Sequence, residues 1–132
     1  MSVSEFIYNL LFTAYPNRVF YEFFPDAVDL NNVVPNVLII NTVTTGDNNK
    51  NGAVRDESIY EFHIVAHKDS HLACKTLTKN IRDILTDIED QNYIMEVEFE
   101  SERSEPMMNA AEKQTEATRV ILELRFYTEP NT

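Results

Sequence analysis

Hydrophobic and polar positions alternate most cleanly over Ile59 to Ala66, where Tyr60, Phe62, Ile64 and Ala66 share one side and Ile59, Glu61, His63 and Val65 the other. A period of two is that of a sheet strand, whose successive side chains leave opposite faces. The period then changes. Leu77, Ile81, Ile84, Leu85 and Ile88 recur at spacings of three and four, with Lys75, Thr78, Lys79, Arg82, Asp83, Asp87 and Glu89 between them, as in an amphipathic helix that ends by about Gln91. Asp69 or Ser70 stands where a cap belongs, and Leu72, Ala73 and Cys74 are expected to extend the apolar stripe through the first turn. This strand and helix predict a sheet with one long helix laid across one face.

The chain opens with a second amphipathic helix. Ser2 and Glu5 have capping-box spacing, and Val3, Phe6, Ile7, Leu10, Leu11 and Ala14 form its apolar face before Tyr15 and Pro16 end it. Arg18 to Phe24 follows as a short strand that is apolar on both sides, which predicts burial on both. Asp29 to Pro35 is a connection, and Asn36 to Val43, with Val37, Leu38, Ile39 and Ile40, is a β-branched strand. Thr44 to Glu57 has both glycines, Gly46 and Gly52, and no apolar period, so it is expected to be a mobile hairpin tip, either a disordered end or a contact arm.

Beyond the central helix, Tyr93, Met95, Val97 and Phe99 alternate with Ile94, Glu96, Glu98 and Glu100, giving one apolar and one acidic face. Ser101 to Ala117 lacks a strand signal and is expected to be a second long loop, with a helical turn or two over Asn109 to Ala117. The last strand, Thr118 to Tyr127, places Val120, Leu122, Leu124 and Phe126 toward the core. The fold class expected is α+β: a mostly antiparallel sheet of about five strands, one long helix packed across it and an N-terminal amphipathic helix.

At 132 residues, one domain spanning 1–132 buries roughly two-thirds of its unfolded surface without needing a disulfide or structural metal. One cysteine forms no internal disulfide, and no apolar run has the length of a membrane span or a signal peptide, which suggests synthesis in a cytoplasm. Charge changes the picture more. With 22 acidic against 11 basic residues, a net charge of -11 disfavours a DNA-reading role, because phosphate binding needs Lys and Arg.

Candidate chemistry is sparse. His63 and His67 lie roughly 13 Å apart along a strand, too far to share a zinc, and His67 with His71 lacks further ligands. Cys74 falls on the apolar side of its helix and has no nearby base, so it is expected to pack in the core. Glu96, Glu98 and Glu100 stand about 7 Å apart in succession, a spacing hydrolases use, but without an activating pattern they read as a solvated face. With both glycines in one polar loop, no phosphate loop, dinucleotide fingerprint or nucleophile elbow is present. No catalytic, cofactor or metal residue is assigned.

The N-terminal helix, Arg18-Val19-Phe20-Tyr21, Pro35 to Ile40, and Tyr60 to Ala66 with the Leu77 to Ile88 helix resemble the phage tail-terminator and head-tail joining family in element order and texture. The closing strands, Glu96 to Glu100 and Arg119 to Tyr127, extend the likeness over nearly the whole chain; the 44–57 and 101–117 loops depart from it. The resemblance implies a virion structural protein in the tail or neck, not an enzyme. It would form a homo-oligomeric ring, a hexamer or, as in a connector, a dodecamer, that ends tail-tube growth and meets tail-tube and neck proteins. DNA would pass only as cargo, and no membrane or cofactor would be involved.

Under that resemblance, Glu96, Glu98 and Glu100 are candidates to line the channel. Asn48, Lys50, Arg55, Arg103, Met107 and Met108 are candidates for contacts between subunits or rings, with Lys68 a further cation for the seam. The alternatives are another neck or connector ring, or a small cytoplasmic α+β adaptor or binding domain.

Overall fold

The computed structural model describes residues 2–25, 28, 30, 32–48, 54–88, 91, 93–109 and 114–129, with the side chains of 43–48, 54–55, 95, 106–109 and 114–116 excepted. The elements in chain order are α1 (Val3–Ala14), β1 (Val19–Tyr21), β2 (Asn36–Asn48), β3 (Val54–His67), α2 (His71–Thr86), β4 (Ile94–Asn109) and β5 (Gln114–Thr128). The strands form one sheet in the order β1-β2-β3-β5-β4. β1 runs parallel to β2, and every other pairing is antiparallel. The α+β class and the mainly antiparallel five-stranded sheet agree with the sequence pattern.

Both helices contribute to one core cluster with alternate residues of the strands. Val37 and Ile39 of β2, Tyr60, Phe62, Ile64 and Ala66 of β3, and Val120, Leu122, Leu124 and Phe126 of β5 meet Cys74, Leu77, Ile81 and Leu85 of α2 and Ile7 and Leu11 of α1. Period-2 and period-3.6 stripes therefore face each other, which is what buries both. Phe126 packs edge-on to Tyr60, with ring centroids 5.3 Å apart. α1 is capped as its sequence predicts, the Glu5 amide donating to Ser2 Oγ at 3.1 Å. It is pinned at Ser4, whose hydroxyl lies 2.7 Å from the Tyr60 hydroxyl and accepts from Tyr21 Oη at 3.1 Å. The Tyr60 hydroxyl titrates above its usual value because burial disfavours the phenolate.

Several expectations change. The ladder between β2 and β3 continues through Thr45↔Glu57 to Asn48↔Val54, and that between β4 and β5 through Pro106↔Thr118 to Asn109↔Gln114. Most of 44–57 and 101–117 is thus extended strand, including Asn109 and Gln114–Ala117 where a helical turn was expected; 49–53 and 110–113 lie outside the described residues. Apolar alternation marks a strand with a buried face, whereas a hairpin's backbone bonds continue without one. β1 is shorter than Arg18 to Phe24, and with Val19 buried but Phe20 and Tyr21 only partly so, it is not buried on both sides. Glu22 turns away with φ 71°, and Phe23 beyond it is exposed.

In α2, Leu72 and Ala73 face solvent. At about 100° per residue, Leu72 is some 200° around the helix from Cys74, nearly opposite the buried stripe. Ser70 is the N-cap position but makes no side-chain cap bond. A bulge between Ile94 and Glu96 places Ile94 in the core beside Val97, not with the glutamates. Tyr93 and Phe99, expected on the apolar face, are exposed.

Ile81 is fully buried at the centre of the α2 contact. Ile81→Ala is expected to lower unfolding free energy by about 2–5 kcal/mol through lost burial and a cavity. Urea denaturation checks this, and a loss below about 1 kcal/mol would contradict the placement of the core.

Candidate functional site

The sheet face opposite the core cluster carries a network of ionised groups built by strand register. Glu98 lies across from Arg125, Glu96 from Tyr127, and Arg125 in turn across from Ile59 of β3. The Arg125 guanidinium bridges three strands, donating from Nη1 to Glu57 Oε2 at 2.9 Å and from Nε to Glu100 Oε1 at 2.7 Å. Tyr127 Oη donates to Glu98 Oε2 at 2.7 Å. That hydrogen bond to a carboxylate raises the Tyr127 pKa, burial adding to it. Glu100 likewise holds the Arg125 proton more tightly. Further along, Arg103 reaches Glu105 at 3.2 Å and Glu61 at 3.9 Å.

His63 sits in the same face and is only 6% exposed. Its Nε2 lies 2.8 Å from Glu61 Oε1. Its Nδ1 has no partner among the described residues. Burial lowers its pKa, and the Glu61 hydrogen bond opposes that without reversing it; Arg119 and Arg103 add to the lowering. The ring is consequently neutral near pH 7, and a neutral ring donating to Glu61 presents a bare Nδ1 lone pair.

The other reactive residues do separate jobs. Cys74 is buried, and its thiol is pushed up to about 11 by desolvation, which suits packing and not nucleophilic attack. His67 Nδ1 accepts the Asp69 amide at 3.1 Å, and His71 Nδ1 lies 3.0 Å from Thr118 Oγ1. Among the described residues, no three His, Cys, Asp or Glu side chains are grouped to hold a metal ion.

On the helical side the charge balance differs. Lys75 pairs with Glu102, and Arg82 stacks over the Phe99 ring with Cζ 3.9 Å from its centroid. The opposite flank of α2 borders an open groove of about 520 Å³, with Leu72, Ala73, Thr76, Leu77 and Asn80 along one wall and Arg18 with Val33–Pro35 along the other. Leu72 is 79% and Val33 66% exposed there. A smaller recess of about 260 Å³ lies beside α1 at Ser4, Tyr8 and Tyr21.

The residues singled out by sequence separate into three groups. Glu96, Glu98 and Glu100 share the open face, with Glu98 and Glu100 engaged by Tyr127 and Arg125. Arg103 lies midway on that face. Asn48 and Arg55 occupy one end of the sheet, in neighbouring rungs of the β2-β3 ladder, while Met107 and Met108 lie at the other end. The side chains of those four, and Lys50 altogether, lie outside what is described. Arg125 as a clamp was missed, because its partner Glu57 is 68 positions away and only sheet register joins them. The groove was missed too, although the angular position of Leu72 signals it.

No protein-family model and no curated protein matches the chain. Among solved structures it is similar to a chain in the virion of a native gene transfer agent particle, with TM-score 0.69 and 12% identity over 94% of this chain and 92% of that one. At that identity the likeness concerns the fold, and function must be argued from the surfaces.

The lowered pKa of His63 has a signed consequence. The unfolded chain binds the proton more readily than the folded one, so stability rises with pH through the interval from the folded value up to about 6.5. Thermal melts are expected to show stability falling as pH drops from 7 to 5, with a smaller fall in His63→Gln. Equal pH slopes in the two proteins would contradict this role.

Proposed function

We propose that this chain is a virion structural protein, the subunit of a closed ring at the head-proximal end of a phage tail that ends tail-tube growth and joins tail to neck. The observation that carries the virion structural role is the likeness to a virion chain, which extends over nearly the full length of both proteins; the ring and its place on the tail rest on the resemblance in element order. A hexamer is the favoured order; a twelvefold neck ring is the alternative within the same role. No catalytic step is assigned to it.

The surfaces support this reading physically. Strand β4 is a long sheet edge, but its side chains include Glu96, Glu98, Glu100, Glu102 and Glu105, it holds Pro106, and its register shifts in three places. Such features oppose edge-to-edge pairing of two sheets, so copies would meet through side chains at distinct flanks. Six copies carry -11 each, which requires a seam that is apolar or uses the few cations. The glutamate face is suited to a lumen: its carboxylates repel phosphate, and Arg125 and Tyr127 hold two of them in place.

Light scattering of the purified protein over a range of concentration and salt is expected to give a mass of six or twelve chains. A monomer or two-fold dimer throughout would count against the ring. Glu96→Gln combined with Glu98→Gln and Glu100→Gln is expected to leave the fold and the oligomer mass unchanged while particles carrying the variant deliver DNA less efficiently. Undiminished delivery, scored as infectious titre per intact particle, would remove the lumen assignment.

A further inference from the structure

The groove beside α2 lies at a definite place relative to the sheet. The Asn32 carbonyl accepts the His67 amide at 2.7 Å, and His71, next to Leu72, contacts Thr118. The groove therefore sits at the end of the sheet where β3 finishes and β5 begins, over the β1-β2 flank from which Arg18 bonds the Pro35 carbonyl at 3.0 Å. At that same end, the β4-β5 ladder runs past the last β3 rung, His67↔Ala117, to Met108↔Thr115 and Asn109↔Gln114. This projecting hairpin stands on the β4 flank. β2 and β4 are separated by three strand spacings, about 14 Å, so groove and hairpin occupy opposite sides of one subunit at one level.

We infer that the groove receives the β4-β5 hairpin end, around Pro106–Met108, of a second copy of this chain. The inference deepens the ring reading and rests on it. Different surfaces on opposite flanks at one level make a head-to-tail contact, and repeating such a contact closes a ring when the rotation between copies divides a full turn. Charge points the same way. In a chain of net charge -11, the nine groove-lining residues among those described include no carboxylate and one cation, Arg18. The incoming segment, Glu105-Pro106-Met107-Met108, brings two methionines, residues that adapt to irregular apolar surfaces, beside a half-exposed carboxylate that Arg103 engages within its own chain. Docking would cover Leu72, Val33 and Val34, the apolar side chains the groove leaves in water.

Cysteine pairing tests the contact with the full chain, the native Cys74 being buried and slow to react. Leu72→Cys combined with Met107→Cys in one chain is expected to give, on mild oxidation, a disulfide-linked ladder ending at the closed ring. Each single variant alone gives no ladder, and a mixture of the two gives linked pairs. Leu72→Asp, at an exposed position, is expected to keep the circular dichroism spectrum of the unaltered protein while losing the ring and shifting to monomer mass. If the unaltered protein forms a ring while the double variant stays unlinked and Leu72→Asp still assembles, this seam is overturned and the ring reading survives. If the unaltered protein never assembles and no ladder forms, both are overturned.

Discussion

Burial of the α2 stripe against the inner face of β3 and β5 is the contact on which the rest of the molecule depends. Leu77, Ile81 and Leu85 meet the alternate residues of the two central strands, and that match of periods decides which side of the sheet becomes core. Once it is made, α1 has one place to lie, pinned through Ser4 to Tyr60 and Tyr21. The opposite face is left to Arg125, the glutamates and His63. The surfaces available for assembly are those the core does not use.

That open face reconciles an acidic composition with a stable sheet. Like carboxylates side by side on neighbouring strands would repel, yet the register brings Arg125 between Glu57 and Glu100 and Tyr127 to Glu98. Each exposed pair contributes little by itself. Together they fix the side chains that face solvent, so the acidic character is retained in an ordered array. The helical side carries Lys75 and Arg82 and an apolar groove, which makes the two flanks of a subunit different and suits a contact that is not self-complementary.

Much of the fold was legible in the chain because it follows from periodicity. Tyr60, Phe62, Ile64 and Ala66 alternate and are core; the Leu77 to Leu85 stripe is helical and buried; Ser2 caps α1. Other features depend on partners that periodicity does not contain. The outer halves of both hairpins carry no apolar alternation in their sequence, so strands held there by backbone bonds left no periodic signal. A single bulge near Met95 moved Ile94 to the core face, a change that only pairing with β5 reveals. The acidic face was visible as Glu96, Glu98 and Glu100, whereas the guanidinium holding it came from a strand some 25 residues later. Leu72 was expected on the buried stripe, although helical geometry sets it nearly opposite Cys74, and its exposure marks the groove that composition leaves hidden.

Whether these surfaces build a ring is decided most directly by electron-microscopic imaging of the purified assembly, with the symmetry read from class averages and the subunit fitted into the density. The proposed assembly is a closed sixfold or twelvefold ring with the face bearing Glu96, Glu98 and Glu100 toward the lumen. A two-fold dimer, an open filament, or a ring with that face outward would contradict it.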